Sequence, residues 1–157
     1  MKFVGIATSV FKKTLVSKAN EVGNIVTLDL PCLTANDCSR HFELLDLFDC
    51  NKTNYENTEY YKFSINNRNQ KDVIEKINNF NNLYKSIKEN GYDYSKGYII
   101  VSSDGARLDG SHRSSILEHL QYAKIDVIMV DWLKCFTKKE IRGLLSHISS
   151  QKAQYNA

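Results

Sequence analysis

The sequence predicts an α/β fold, a small mixed sheet with packed helices, and three observations carry that expectation. Residues 70–90 repeat apolar side chains at the spacing of an amphipathic helix. Two short apolar runs, 98–101 and 125–130, have the length and β-branched content of buried strands. Between them lie an Asp-Gly turn and a glycine-centred corner that opens a further helix.

The elements follow in order. Residues 25–30 form a strand rich in β-branched side chains and ended by Pro31. Thr34, Asn36 and Asp37 are candidate caps for a short helix running through residues 41–45. Residues 51–68 are polar and tyrosine-rich and are expected to form a loop. In the helix over 70–90, Val73, Ile77, Phe80, Tyr84 and Ile87 step by four, three, four and three, with Ile74 and Leu83 widening the stripe. Gly91 stands where a left-handed C-terminal cap is expected. Asp104-Gly105 predicts a tight hairpin turn that places Leu108 on the returning strand. A helix then starts near Ser111 with Ile116, Leu117 and Leu120 facing inward. Thr137 can cap a last helix with Ile141, Leu144, Leu145 and Ile148 on one face.

Composition narrows the function classes. The 157 residues suit a single domain, long enough to bury roughly two-thirds of the surface its unfolded chain exposes. Lys and Arg total 21 against 18 Asp and Glu, a net charge of +3. That balance argues against nucleic acid as a partner, because nucleic-acid domains concentrate basic residues on one stripe. The pairs Lys12-Lys13 and Lys138-Lys139 are expected on solvated faces. No apolar run reaches the roughly 18 residues of a membrane helix, and residues 1–13 lack the order of a secretion signal. The expectation is a cytoplasmic protein with no membrane partner. The cysteines, Cys32, Cys38, Cys50 and Cys135, form no C-x-x-C pair, so neither zinc nor disulfides are expected.

The chemistry is expected at Asp109-Gly110-Ser111-His112-Arg113. A glycine turn here delivers the chain from a strand into a helix. The first N–H groups of a helix have no partner inside it, and its dipole favours negative charge there. Such a corner binds anions. Gly110 lets a phosphate approach the backbone, Ser111 supplies a hydroxyl and His112 an imidazole. Arg113 supplies a fork that grips two phosphate oxygens. Asp109 can orient Arg113 or help hold Mg²⁺. The residue types also allow a plainer outcome: a hairpin, then a helix capped by Asp109 or Ser111 with exposed His112 and Arg113. His119 follows His112 by two helical turns, with no cysteine or second acidic ligand nearby to make a metal site. His41 and His147 are expected at the surface or at helix ends. Tyr55, Tyr60 and Tyr61 either pack a loop or stack a base or sugar.

The stretch GYIIVSSDGARLDGSHRSSILEHLQYAKIDVIMVDW, preceded by the helix DVIEKINNFNNLYKSIKENGYD, resembles the ParB/sulfiredoxin fold superfamily. The resemblance covers residues 70–132 and leaves the first 50 residues outside it. It implies that the corner, residues 110–113, binds nucleotide phosphates. Sulfiredoxins carry a cysteine immediately before His-Arg; Ser111 stands there in this chain and has no comparable redox ladder, so sulfiredoxin activity is disfavoured. ParB partition proteins carry a helix-turn-helix domain, and too few residues follow Val130 to hold one. Free serine kinases carry an Asp-Gly-His-His-Arg corner, from which DGSHR departs at one position. ParB-like proteins of surface-polysaccharide gene clusters are similar too, with a tyrosine-rich segment like NTEYYKF and the same DGSHR corner.

The resemblance therefore implies an ATP-type, Mg²⁺-assisted phosphotransferase acting on a hydroxylated metabolite or sugar, in surface-polysaccharide biosynthesis. Phosphoryl transfer needs a carboxylate on the acceptor hydroxyl, and the free serine kinases carry theirs before the long helix. Glu56 and Glu59 are the candidates in this chain, with Asp109 the carboxylate at the corner. A non-catalytic nucleotide-binding regulator of ParB type and a DNA-associated accessory protein are the alternatives. The sequence leaves the nucleotide, the acceptor and homodimer formation open.

Overall fold

The computed structural model describes residues 16–30 and 39–142, and the α/β class holds over them. A helical segment α1 over residues 16–22 leads into β1, Asn24–Asp29. Then follow α2 (Ser39–Asp49), α3 (Glu59–Ile65), α4 (Gln70–Asn90), β2 (Ile99–Ser102), β3 (Arg107–Asp109), α5 (Ser111–His119) and β4 (Lys124–Val130). Short 3-10 turns lie at Tyr55–Asn57, Tyr94–Lys96 and Trp132–Cys135. Residues 1–13, Pro31, the cap candidates Thr34, Asn36 and Asp37, Cys32, Cys38, His147 and, of the last helix, Leu144, Leu145 and Ile148 lie outside the described residues. Within them no helix is long and apolar enough to cross a membrane.

The described residues gather into two compact units, one of 16–27, 99–109 and 126–142, the other of 28–30, 39–98 and 110–125. The four-stranded sheet has the order β1-β4-β2-β3. β2 and β4 are parallel, with Ile99 opposite Val127 and Ser102 opposite Val130. All four residues of β2 are buried, as are Ile125, Val127, Ile128 and Val130 of β4. Central strands covered on both faces read as continuous apolar runs, which is why both were visible in the sequence. β1 meets β4 through Thr27 Oγ1 on Asp126, Lys124 on Asp29 and the Leu30 N–H on the Ala123 carbonyl. These partners advance in opposite directions along the chain, so β1 runs antiparallel to β4.

β2 and β3 form the predicted hairpin, with Ile100 opposite Asp109 and Val101 opposite Arg107. One residue, Leu108, is extra on β3, so the ladder is bulged there. The Ser102 N–H donates to the Ala106 carbonyl at 2.8 Å and the Gly105 N–H to the Ser102 carbonyl at 2.9 Å. Gly105 closes the turn at φ 85°, a conformation open to glycine at no steric cost.

In the second unit α4 carries the predicted stripe: Val73, Ile77, Phe80, Tyr84 and Ile87 are all buried. The Asn69 side chain accepts from the Asp72 N–H at its start, and Gly91 ends it at φ 78° and ψ 179°, a glycine conformation other than the expected left-handed cap. α2 is longer than the expected helix and buries His41, Leu44, Leu45 and Phe48 at steps of three, one and three. It ends in a Schellman motif: the Lys52 N–H bonds the Leu47 carbonyl, and the Asn51 N–H the Phe48 carbonyl. Asn51 takes the left-handed position at φ 52°.

The expected loop over 51–68 is corrected by the structure. It holds the 3-10 turn and α3, with Tyr55, Thr58, Tyr61 and Ser64 buried. Thr58 caps α3 by accepting from the Tyr61 N–H at 3.2 Å. A helix of seven residues is too short to show a period among so many polar neighbours. Thr137 does cap a last helix: its hydroxyl accepts from the Glu140 N–H, while the Glu140 carboxylate accepts from the Thr137 N–H.

Gly23 joins α1 to β1 and was not singled out by any sequence pattern. A Cβ there would collide with Ile128 Cγ2 and lie 2.6 Å from the Ala19 carbonyl oxygen. Gly23→Ala is therefore expected to destabilise the protein by about 1–3 kcal/mol, an overpacking cost. Urea unfolding measures it; unchanged stability would show that the 19–23 turn shifts freely off β4.

Candidate functional site

Gly110 is the N-cap of α5, buried, at φ 92° and ψ 31°. Gly110, rather than Asp109 or Ser111, takes the N-cap position. Asp109 ends β3 and is half-buried. A left-handed residue at a helix start turns the chain sharply into the first turn, and glycine meets that requirement without strain. The Ser114 N–H already bonds the Gly110 carbonyl at 2.9 Å, so the helix is regular from its first possible bond.

The side chains at the corner take different directions. Arg113 reaches back along the chain. Its Nη1 donates to the Gly97 carbonyl at 2.7 Å and lies 3.5 Å from the Tyr92 hydroxyl, which itself donates to Gly97 at 2.8 Å. Gly97 is at φ 109°, and a Cβ there would stand 3.3 Å from Arg113 Nη1. The guanidinium is thereby anchored to the turn over residues 92–97. Ser111 offers its carbonyl to two hydroxyls, Ser114 Oγ and Ser115 Oγ, each at 3.0 Å. Those bonds let two serines sit buried in the middle of α5 beside Ile116 and Leu117.

His112 turns inward. Its ring stacks on Phe80 with centroids 4.4 Å apart and planes 25° apart. It meets His41 edge-on at 4.8 Å and Tyr60 at 6.2 Å. His41 is only 6% exposed and its Nδ1 lies 2.8 Å from Ser115 Oγ. Of the two positions expected for His41, a helix end is the one found, near the start of α2, but the ring is buried beneath the corner at the first position of the apolar stripe. Of the tyrosines, Tyr55 and Tyr61 pack in the interior, whereas Tyr60 approaches both histidine rings.

Glu56 lies exposed in the 3-10 turn. Glu59, also exposed, begins α3; its carboxylate is 3.4 Å from Lys62 Nζ, and its own N–H donates to Glu43 at 2.7 Å. α3 therefore brings Tyr60 to the corner, while the Glu59 carboxylate pairs along the helix surface. Among the described residues no three His, Cys, Asp or Glu side chains come together as a metal site.

A second polar group was not anticipated. Asp49, at the end of α2, accepts from the Tyr84 hydroxyl and from Lys88 Nζ at 2.5 Å on one oxygen, and meets His119 Nε2 at 2.7 Å on the other. Lys88, Tyr84 and His119, in that order, hold the Asp49 carboxyl far below the ordinary carboxylate range. The Lys88 ammonium is pushed up by the same bond to Asp49, and burial then Asp49 push the Tyr84 phenol up. His119 thus has a partner remote in sequence rather than an accidental alignment with His112. Tyr84 and Lys88 are one helical turn apart, the only part of this group visible as a spacing.

No family model, curated protein or solved structure matches the chain.

Asp49→Asn is expected to destabilise the protein by about 1 kcal/mol at neutral pH, the partial exposure of the group keeping the figure low. The folded carboxyl is depressed, so its contribution is full above the unfolded value near about 4 and is lost as pH falls below it. The stability gap between wild type and variant should be level from neutral pH to about 5 and narrow below about 4. Chemical denaturation across that range measures it; a gap that widens in acid contradicts the assignment.

Proposed function

We propose that this chain is a ParB/sulfiredoxin-like nucleotide-binding phosphotransferase whose corner, residues 110–113, grips the phosphates of an ATP-type nucleotide with Mg²⁺. The acceptor class is a hydroxylated metabolite or sugar, with surface-polysaccharide biosynthesis as the setting. The observation that carries the reading is the left-handed Gly110 cap. It brings buried glycine backbone to the start of a nine-residue helix, the backbone form that suits an oxyanion. The anchored Arg113 adds to it, because a guanidinium already ordered loses less freedom on gripping phosphate. The order hairpin, corner, helix, parallel strand is in keeping with the superfamily that the sequence resembles.

Within this proposal the protein residues divide the work. Backbone N–H groups of the first turn of α5 and the Arg113 guanidinium hold phosphate in ground state and transition state alike. A carboxylate at Glu56, Glu59 or Asp109 takes the acceptor proton as the bond forms. Mg²⁺ carried by the nucleotide would supply charge neutralisation on the phosphates. One observation favours the alternative of a non-catalytic nucleotide-binding regulator: the Glu59 carboxylate is engaged by Lys62 at the surface.

Arg113→Ala is expected to weaken ATP binding by about 1.5–3 kcal/mol, as loss of a charge-assisted hydrogen bond does. Calorimetric titration of ATP with Mg²⁺ checks it, and equal affinities would remove the phosphate-clamp role. Tyr92→Phe, which leaves the guanidinium in place, is the control for loss of the 92–97 turn.

For catalysis, Glu56→Gln, Glu59→Gln and Asp109→Asn are each assayed for ATP affinity and for ADP release over serine, other hydroxy amino acids and sugars. Loss of the base should lower kcat by ~10²–10⁴-fold with little change in nucleotide affinity. If the wild type turns over an acceptor and all three variants match it, no carboxylate named here is the base. ATP binding without turnover of any acceptor favours the regulator.

A further inference from the structure

In the first unit a cavity of about 300 Å³ opens where β2 and β4 end. Ser103 follows β2 and Asp131 follows β4, and both line it. The two strands are parallel neighbours, joined past their ends by the Ser103 N–H on the Val130 carbonyl at 3.1 Å. Beyond that bond the chain parts: β2 leads into the hairpin with β3, and β4 into the 3-10 turn at Trp132–Cys135. A crevice at the carboxyl ends of parallel strands, where their connections diverge, is a common ligand position in α/β folds. β1 runs antiparallel on the other side of β4, so its first residue, Asn24, lines the same cavity.

The cavity has two chemical halves. Val22, Val26 and Met129 supply an aliphatic wall, and Val22 is 55% exposed although apolar. Gly23 holds Val22 and Asn24 there, because the turn between them lies directly against Ile128 and the Met129 carbonyl. The polar half is an ion pair on the 3-10 turn. The Lys134 N–H bonds the Asp131 carbonyl at 2.9 Å, and Lys134 Nζ stands 3.7 Å from Asp131 Oδ2. These side chains are 79% and 40% exposed, so a solute reaches both charges. A carboxylate has about four lone-pair positions and an ammonium three protons, so each can take a ligand group besides its present partners.

This pattern is selective. A polyphosphate would meet the Asp131 carboxylate, and a simple cation the Lys134 ammonium. A sugar carries hydroxyls on every side and would lose hydrogen bonds against the aliphatic wall. A whole nucleotide is large for a cavity at the low end of ligand-site volumes, roughly 300–1,000 Å³. An α-amino acid with an aliphatic side chain matches both halves. Its ammonium and carboxylate lie side by side and can align antiparallel to the Asp131–Lys134 pair.

We propose that this cavity is a binding site for a free aliphatic amino acid. Asp131 takes the ammonium, Lys134 the carboxylate, and Val22, Val26 and Met129 the side chain. The site shares no residue with the corner, and its test stands apart from the anion-binding reading of residues 110–113.

The full chain carries two methionines, Met1 and Met129, so methyl-labelled methionine gives a sparse NMR spectrum in which Met129→Leu assigns the reporter. L-valine, L-leucine, L-isoleucine and L-methionine are each titrated to about 10 mM. The best binder is then compared with its own deamino and decarboxy analogues and with glycine; for leucine these analogues are 4-methylpentanoate and 3-methylbutylamine. At least one of the four amino acids should shift the Met129 methyl saturably. The three controls should bind about tenfold more weakly or worse, having lost a charge-assisted contact or the aliphatic burial. Asp131→Asn and Lys134→Gln should each weaken the amino acid about tenfold or more. No saturable shift with any of the four overturns the proposal. So does an analogue lacking one charge that binds as well as the amino acid, because the site would then recognise a single charge. Wild-type affinity in both variants overturns it too. Should either variant fail to fold, the comparison of analogues on the wild type decides the matter.

Discussion

The ring of Phe80 is the contact on which the helical unit depends. It is 1% exposed, on the middle of α4, and meets Phe48 and His41 of α2 and His112 of α5. One aromatic side chain thus touches the interior stripe of α2 and the first turn of α5 at once. Losing such a ring from a packed interior typically costs about 3–5 kcal/mol. At this position the loss would also free the imidazole that closes the floor of the corner. Fold and candidate site share a residue here.

One helical turn further along α4, Tyr84 repeats the arrangement with a polar end. Its ring packs against Phe48 at 6.0 Å and His119 at 6.0 Å, while its hydroxyl reaches Asp49. The two ends of α5 are therefore held differently. At its start His112 lies on Phe80 among rings. At its end His119 is held by a carboxylate from α2, which a lysine and a tyrosine from α4 also grip. Burial decides which arrangement suits each end: His41 and His112 sit among aromatic rings, whereas Lys88 and Asp49 keep contact with water. An ion-pair network at a wet boundary avoids the desolvation penalty that the same charges would meet beside Phe80.

The corner draws on a third constraint, backbone rather than side chain. Gly110 and Gly97 both stand at positive φ, and each does something a larger residue could not do cheaply. Gly110 turns the chain into α5. Gly97 leaves its carbonyl accessible to Arg113, so the long side chain is ordered before any ligand arrives.

Much of this was legible in the chain because it is local. The stripe of α4, the glycine that ends it, the Asp-Gly hairpin, the apolar strands β2 and β4 and the glycine before α5 depend on spacings of a few residues. Backbone geometry ties those spacings directly to structure. α3 was hidden by its brevity, and the end of α2 by a cap made with Asn51, where no glycine marks it. At the site, the corner was visible as a motif, but the directions of its side chains were not. Arg113 turns to Gly97, His112 to Phe80, and His41, with no pattern around it, becomes the buried floor. Asp49 and His119 meet across 70 positions of sequence. Such pairings arise when helices pack, and only the tertiary structure decides them, because no local spacing records which helix faces which.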